Sequence, residues 1–170
     1  VQVIDVADKI IVHEIPTGAE PEGVILSEDE SILYATSEIA DMVHVIDTAD
    51  GVVVDNIIVG TRPRRFALTK DGKELWVTDE LSGEVSIIDR SNNQVIDTLS
   101  FLPPGFRQVD VTPVGIAISE DGATMYVTLG RANHIGFVDV ASHEVRDYTL
   151  VGSRAWGVAL SPDARLLYVT

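Results

Sequence analysis

Arginine is the residue type whose placement in this sequence points most clearly to chemistry. Arg62 and Arg154 stand at one matching position of a repeating sequence, Arg64 stands at a second such position, and Arg65 stands where the other copies have glycine. Their guanidinium groups are forked donors that suit carboxylates and phosphates, and Trp156 adds a face for stacking. The formal net charge is −15, from 12 basic and 27 acidic residues, so these arginines would form a local positive site in a negative field.

Two interpretations of these arginines are open. In the first, they line the mouth of a channel and bind an anion, such as a small carboxylate, a quinone-type cofactor or an acidic peptide. In the second, they are paired internally with carboxylates on neighbouring loops. The candidate partners for such pairing are Glu20, Glu22, Glu38, Asp79, Glu80 and Asp110. The candidate ligand-binding set is Arg62, Arg64, Arg65, Arg154, Trp156 and His134.

No residue pattern indicates a catalytic group or a metal site. Of the four histidines, His134 is expected on a loop of the channel face, and none has the spacing of metal ligands. The chain has no cysteine and no nucleophile motif of the Gly-x-Ser-x-Gly type. Aspartates also recur at the end of one predicted strand in each repeat, where capping of the following turn is expected. These are Asp5, Asp47, Asp89 and Asp139.

The elements that must position these residues follow from an internal repeat. An aromatic-containing motif of the Tyr-Val-Thr type occurs at residues 33–36, 75–78, 125–128 and 167–170, with starts 42, 50 and 42 residues apart. A period near 42 residues, built from short β-type segments, is typical of stacked four-stranded units. The aromatic residues of this motif are expected to pack between the units.

The second unit is predicted to contain four short strands, at residues 66–69, 74–78, 85–89 and 94–99. The first is apolar enough to be buried on both faces, and the last alternates like a half-exposed outer strand. Asp71 and Gly72 supply the positive φ of a tight turn. No stretch has a sustained helical period. A propeller blade fits this unit, and a solenoid of β units is the alternative.

The repeat boundaries predict an all-β chain, a β-propeller of four-stranded antiparallel blades. Complete blades are expected at 17–58, 59–108 and 109–150, and complementary half-blades at 1–16 and 151–170. The third unit begins after an insertion within residues 101–110. The half-blades could join in a four-bladed ring, in an eight-bladed homodimer closed by strand exchange, or within a longer propeller of which this chain is a fragment. We favour the fragment origin.

Composition narrows the classes of partner. The acidic charge opposes binding to nucleic acid and to anionic lipid. No apolar run approaches the roughly 20 residues of a membrane helix. A chain without cysteine suits an oxidising compartment.

The sequence also resembles a known family. The Tyr-Val-Thr copies, the Val-Ile-Asp copies and the turn at residues 161–163 resemble the YVTN β-propeller repeat. Segments 21–24, 44–48, 62–64 and 113–115 are similar to the subgroup associated with PQQ-dependent catabolism. The resemblance implies an exported, periplasmic or secreted protein of about seven blades. It implies PQQ only by association, and no cofactor is predicted. The usual Thr-Asn after the second strand is absent at residues 36–37, 78–79 and 128–129.

These observations favour a noncatalytic binding or scaffold propeller, whose partner is a protein or a small anionic ligand. One alternative is a propeller enzyme, either a lactonase-like hydrolase or an accessory of a quinone- or metal-dependent oxidoreductase. Another alternative is a cell-surface adhesion repeat protein. The absence of a catalytic constellation places the binding function first.

Overall fold

The computed structural model describes residues 1–170, and its regular elements are sixteen β-strands with two short 3-10 turns. The strands are β1 (Gln2–Asp5), β2 (Ile10–Glu14), β3 (Pro21–Leu26), β4 (Ile32–Ser37), β5 (Met42–Asp47), β6 (Val52–Ile58), β7 (Pro63–Leu68), β8 (Glu74–Asp79), β9 (Glu84–Asp89), β10 (Gln94–Ser100), β11 (Pro113–Ile118), β12 (Thr124–Leu129), β13 (His134–Asp139), β14 (Glu144–Leu150), β15 (Val158–Leu160) and β16 (Leu167–Val169). The 3-10 turns are Gln108–Asp110 and Gly130–Ala132.

The strands form three four-stranded antiparallel sheets, each in sequence order. We call β3–β6 the first sheet, β7–β10 the second and β11–β14 the third. Two further hairpins, β1–β2 and β15–β16, form two-stranded sheets. The prediction of an all-β chain with four-stranded antiparallel sheets is therefore confirmed. No helix in the structure has the length and apolar character needed to cross a membrane.

The first strands of successive sheets meet along one line. β3 contacts β7, β7 contacts β11, and β11 contacts β15. We call this line the axis. The prediction that a first strand is buried on both faces is wrong, because in β7 half-buried Phe66 and Leu68 alternate with buried Ala67. Alternate side chains of a strand point to opposite faces, and here only one face of β7 is fully covered.

The core lies between sheets and is built mainly from second and third strands. Leu75, Trp76 and Val77 of β8 are all fully buried. Tyr34 and Leu75 belong to a cluster between the first and second sheets, and Trp76 and Met125 to a larger one between the second and third. Tyr34 and Trp76 are thus packing residues, as expected from the repeat. The fourth strand β10 is exposed along most of its length, as predicted for an outer strand.

The recurrent aspartates cap turns. Asp47 Oδ1 accepts the amides of Ala49 and Asp50, both at 2.9 Å. Asp89 does the same for the amide of Ser91 at 2.8 Å. This local bonding accounts for the carboxylates without any metal ion.

The insertion before the third sheet packs against that sheet. Phe101 is fully buried and covers Gly136, where an added Cβ would lie 3.0 Å from the Phe101 ring. The amide of Leu102 donates to the hydroxyl of Tyr148 at 2.9 Å. The insertion therefore extends the apolar core outward from the axis.

At one end of the axis, each sheet carries two loops that bond to each other. One leads into the first strand and the other joins the second and third strands. The amide of Glu38 donates to the carbonyl of Glu20 at 3.1 Å, and the amide of Glu80 to that of Arg62 at 3.0 Å. In the third sheet the amide of Gly130 donates to the carbonyl of Thr112 at 2.8 Å. We call this end the mouth.

Candidate functional site at the mouth

The threonine of the repeated motif positions the first strands at the mouth. Thr36 Oγ1 accepts the amide of Gly23 at 2.7 Å within its own sheet and donates to the carbonyl of Arg64 in the next sheet at 3.3 Å. An added Cβ on Gly23 would lie 2.1 Å from the Arg64 carbonyl oxygen, so only glycine fits there. Thr128 makes the equivalent bond to the carbonyl of Trp156 at 2.9 Å. The motif therefore fixes the backbone from which Arg64 and Trp156 project.

Arg64 is a buried cation held by three carboxylates. Its Nε donates to Glu80 Oε2 at 2.7 Å, and Nη1 donates to Glu38 Oε1 at 2.5 Å. Nη1 also donates to Glu22, and Nη2 lies 2.5 Å from the same Glu80 oxygen. The Arg64 side chain is only 8% exposed. A buried guanidinium is tolerable only when paired in this way.

Two more arginines flank this centre. Arg62 Nε lies 2.6 Å from Glu38 Oε2 and 3.6 Å from Glu80 Oε2. Arg65 Nη2 lies 3.1 Å from Glu22 Oε1. We call this group the Arg–Glu cluster; it consists of Arg62, Arg64, Arg65, Glu22, Glu38 and Glu80. Three guanidinium groups and three carboxyl groups nearly balance in charge, so the cluster is not a free positive patch.

Two carboxyl groups of the cluster have opposite pKa shifts. Burial, followed by the hydrogen bond with Glu38, raises the pKa of Glu22, although Arg64 and Arg65 oppose the shift. Burial also acts to raise the pKa of Glu38, but its hydrogen bonds with Glu22 and Arg62 and the charge of Arg64 outweigh burial and lower that pKa. Of the two, Glu22 is therefore the group that binds a proton more readily, and Glu38 is the one that ionises more readily.

Trp156 borders the cluster on the side of the C-terminal hairpin. The Arg64 Cζ lies 5.4 Å from the centre of the Trp156 ring, and the Arg154 Cζ lies 5.9 Å from it. Both distances are in the range of cation–π contact. Arg154 is exposed and makes no ion pair. It is thus the one arginine of the candidate ligand-binding set without a carboxylate partner.

The structure brings most of the candidate residues together, but it pairs three of the four candidate arginines with glutamates. Arg62, Arg64 and Arg65 are paired internally with glutamates, as the second interpretation of the sequence holds, and Asp110 pairs instead with Arg107 at 2.7 Å. A polycarboxylate quinone such as PQQ would find those three guanidinium groups already neutralised, so the residues present do not fit it.

His134 lies outside the cluster. Its Nδ1 is 2.6 Å from the Ala132 carbonyl oxygen, and its ring packs edge-on against Phe106 and Tyr148 at 5.4 and 6.4 Å between ring centres. These contacts fasten the insertion to the outer strand of the third sheet. The prediction that His134 lies on a loop is wrong, because His134 is the first residue of β13 and pairs with Leu129 of β12. No sequence pattern indicated its contacts with Phe106 and Tyr148.

The contact between the carboxyl groups of Glu22 and Glu38 is the feature of the candidate site that the sequence motifs did not predict. Glu22 and Glu38 entered the sequence argument only as neutralising partners. A signal was present, since Glu22 and Arg64 occupy one repeat position, and Glu38 and Glu80 another. Opposite charges at the same position of adjacent repeats face each other when the first strands meet at the axis.

The chain matches a family model described as lactonase, 7-bladed beta-propeller, over residues 53–170. No curated protein matches it. Among solved structures, the hydrazine synthase of Kuenenia stuttgartiensis superposes with a TM-score of 0.90 at 22% identity, over 99% of this chain and 48% of that one.

Two other solved structures are also similar. The periplasmic gluconolactonase of Pseudomonas aeruginosa has a TM-score of 0.76 at 27% identity, over 88% of this chain and 46% of that one. A catalytically inactive virginiamycin B lyase of Staphylococcus aureus, solved with quinupristin, has a TM-score of 0.73 at 22% identity, over 88% and 48%. The synthase and the lyase show likeness of fold alone. The chain spans about half the length of each of these three proteins.

Proposed function

Because the chain belongs to the lactonase family of seven-bladed β-propellers, we propose that it contributes a lactone-hydrolysing site at the mouth, within the Arg–Glu cluster. The observation that carries this proposal is the buried guanidinium of Arg64 between two carboxyl groups, Glu22 and Glu38, whose pKa values shift in opposite directions. The proposal replaces noncatalytic binding with the enzyme alternative, which the family match supports better.

Hydrolysis of a lactone needs a base, an acid and a group that stabilises negative charge. Ionised Glu38 would take a proton from water as the water oxygen attacks the carbonyl carbon. The oxyanion that forms would accept a hydrogen bond from Arg64 Nη2, since this nitrogen carries two N–H groups and contacts only one Glu80 oxygen. Glu22 would give its proton to the ring oxygen as the carbon–oxygen bond of the ring breaks. The product is a hydroxy acid. At this point Glu38 holds the proton taken from water and Glu22 has lost one, and proton exchange with solvent returns both groups to their starting states.

The remaining residues of the cluster hold these groups in place. Glu80 accepts from Arg64 Nε and fixes the plane of the guanidinium group. Arg62 binds Glu38 at 2.6 Å and so keeps that carboxylate ionised next to Glu22. Trp156 supplies an apolar wall against which a ring could lie. Positioning of this kind is a major source of rate acceleration in enzymes.

The gluconolactonase likeness supports a sugar-derived lactone as the substrate class, at 27% identity. A second function is favoured by one observation. Unpaired Arg154 over the Trp156 ring could hold an anion without catalysis. Both functions would use the same mouth, so binding and turnover must be measured separately.

Finer assignments rest on the repeat. We infer that the chain falls within the YVTN-repeat subgroup, supported by the four motif copies. We also infer that the three four-stranded sheets are blades and the two hairpins half-blades. Export to the periplasm is supported by the likeness to the periplasmic gluconolactonase.

Substitution of the two carboxyl groups tests the hydrolase. The purified protein is assayed against a panel of aldonolactones by titrating the acid released at constant pH. Glu22→Gln and Glu38→Gln should each lower kcat/KM by about 100-fold or more, because each removes a proton-transfer group. Glu20→Gln is the matched control, since this exposed glutamate of the mouth makes no ion pair, and its activity should stay at the wild-type level.

Absence of lactone turnover in the wild-type protein contradicts the proposal. So does equal activity in Glu22→Gln and Glu20→Gln. Retention of a small carboxylate by the inactive wild-type protein, lost in Arg154→Gln, would instead support the binding function.

A further inference from the structure

Asp79 is a fully buried carboxyl group beside the Arg–Glu cluster but not part of it. The residue is 0% exposed. Its Oδ2 accepts the hydroxyl of Ser86 at 2.6 Å, and its Oδ1 is buried without any hydrogen-bond partner. Asp79 makes no ion pair. An unpaired oxygen of a buried carboxyl group is costly when the group is ionised.

Asp79 lies at the junction of the two mouth loops of the second sheet, residues 59–62 and 80–83. Gly60 of the first loop approaches so closely that an added Cβ would lie 2.7 Å from the Asp79 Cβ. In the second loop, the amide of Gly83 donates to the Asp79 carbonyl at 3.2 Å. Between the loops, the amide of Leu81 donates to the carbonyl of Thr61 at 3.0 Å. These loops carry Arg62 and Glu80 of the cluster.

The same position is neutral in the other two complete sheets. In the first sheet it is Ser37, whose Oγ donates to the carbonyl of Ala19 at 2.8 Å. In the third sheet it is Leu129, which is fully buried in the apolar core. Both sheets form the equivalent loop-to-loop bond. The fold therefore does not need an ionisable group here.

The surroundings of Asp79 disfavour its ionised form. Burial is the largest cause and raises its pKa to about 7. The negative charge of Glu84, its cross-strand neighbour on β9, acts in the same direction, whereas hydrogen bonds from Ser86 and from the backbone of Gly60 oppose it. No lysine or arginine side chain pairs with the carboxyl group.

We propose that Asp79 is a proton-dependent latch for the mouth of the second sheet, which keeps residues 59–62 and 80–83 closed while its carboxyl group is neutral and favours their opening when it ionises. Ionisation leaves Oδ1 charged and without a donor, and opening of the loops admits the water that can solvate it. Opening also separates Glu80 and Arg62 from Arg64. Asp79 is thus a positioning residue for the cluster.

The direction of the pH response follows from linkage. The closed state holds the proton with a pKa of about 7, and the open state with a value near the ordinary one of 3.8. Opening therefore becomes more favourable as the pH rises between these values, by about tenfold per pH unit, and changes no further above the upper one. The effect on catalysis rests on the proposed hydrolase function, whereas the loop response does not.

Hydrogen exchange of single backbone amides tests the latch. Protection factors of Glu80 and Leu81, corrected for intrinsic exchange, are measured by NMR from pH 5 to pH 8.5. In the wild-type chain they should fall by about tenfold per pH unit up to pH 7 and then level off. The amide of Glu38 is an internal control, since it makes the equivalent bond beside neutral Ser37, and its protection should stay constant.

Asp79→Ser copies the first sheet and should abolish the slope. Asp79→Asn, which keeps the shape of the side chain, provides the same test if the serine variant does not fold. The proposal is overturned if Glu80 and Leu81 follow Glu38 at every pH, or if either variant keeps the slope. A wild-type slope without lactone turnover would support the latch and reject the hydrolase, and turnover without a slope would do the reverse.

Discussion

The two junctions at the mouth differ sharply, although one backbone pattern builds both. Where the first and second sheets meet, Glu22 and Arg64 face each other and six charged side chains gather. Where the second and third sheets meet, the equivalent position is Val114, which is fully buried, and Leu129 and Phe101 belong to the apolar cluster between these sheets. The hydrogen bond from the motif threonine to the first strand of the next sheet is present at both junctions. At the second junction, Thr78 donates to the carbonyl of Val114 at 2.7 Å.

This difference distinguishes the repeated residues that build each sheet from the charged residues that form the candidate site. The threonine, the inner aromatic residue and the capping aspartate recur in each sheet, and the threonine makes the same two backbone contacts in all three. The charged residues occupy repeat positions that the fold leaves open, since Val114 serves at the same place as Arg64. The charged cluster at the mouth therefore arises from substitutions at positions where the backbone imposes few constraints.

The largest expected effect is loss of the buried cation. Arg64→Leu removes the partner of three carboxyl groups and should lower the free energy of unfolding by about 3–5 kcal/mol at pH 8. The loss should shrink as the pH falls through the range in which glutamates take up protons. Glu38 has a lowered pKa in the folded wild-type chain, so its pairing stabilises above the ordinary pKa of 4.5 and fades below it.

Urea titration at pH 8 and at pH 3.5, which is below the ordinary glutamate pKa of 4.5, followed by tryptophan fluorescence, measures this loss. A destabilisation that is equal at both pH values would show that the guanidinium contributes packing and not charge. That result would remove the distinction between the two junctions.

The apolar junction should respond to loss of volume instead of charge. Phe101→Ala opens a cavity over Gly136 and should cost about 3 kcal/mol. Because the lost contacts are apolar, the cost should be the same at pH 5 and pH 8 in urea titrations. A cost that varies with pH would indicate that the insertion is coupled to the Arg–Glu cluster.

A smaller effect, of opposite sign, is expected at Asp79. Its pKa is raised to about 7, so the folded chain holds the proton more tightly than the unfolded chain, and stability falls as the pH rises from 3.8 to 7. Asp79→Asn removes this penalty but leaves an amide with unmet hydrogen bonds, so a net gain of about 2 kcal/mol is expected at pH 8. The gain should vanish or reverse at pH 4. If Asp79→Asn gained more free energy of unfolding over the wild-type chain at pH 4 than at pH 8, this explanation would be wrong.

The fold was predictable because its signals are local and repeated. Asp71 with Gly72, the run from Leu75 to Thr78 and the exposed alternation of β10 each specify an element within a few residues. The burial of the first strand was mispredicted, because composition alone does not tell which face of β7 a neighbouring sheet covers. The burial of Phe101 was likewise not predictable, because the sequence showed only an irregular loop there and not its contact with Gly136 of the third sheet.

The site was predictable as a set of positions but not as a set of contacts. Repeat alignment placed Arg62, Arg64 and Trp156 at one end of the axis. It could not determine that the pKa values of Glu22 and Glu38 shift in opposite directions, since those shifts depend on burial and on distances across two sheets. Nor could it single out Asp79, whose unusual protonation comes from a buried oxygen without a donor.

The smallest effect is expected at an ion pair that resembles the cluster only in residue type. Arg107 Nε lies 2.7 Å from Asp110 Oδ2, but the Arg107 side chain is 78% exposed and both groups are on the surface of the insertion. Water and salt screen such a pair, and holding two flexible side chains together costs entropy. Arg107→Gln should therefore leave the midpoint of thermal unfolding unchanged at low and high salt. A shift in this midpoint as large as that caused by Arg64→Leu would mean that exposure does not determine the strength of these ion pairs. Burial would then not explain why the charged junction contributes more to stability than a surface pair.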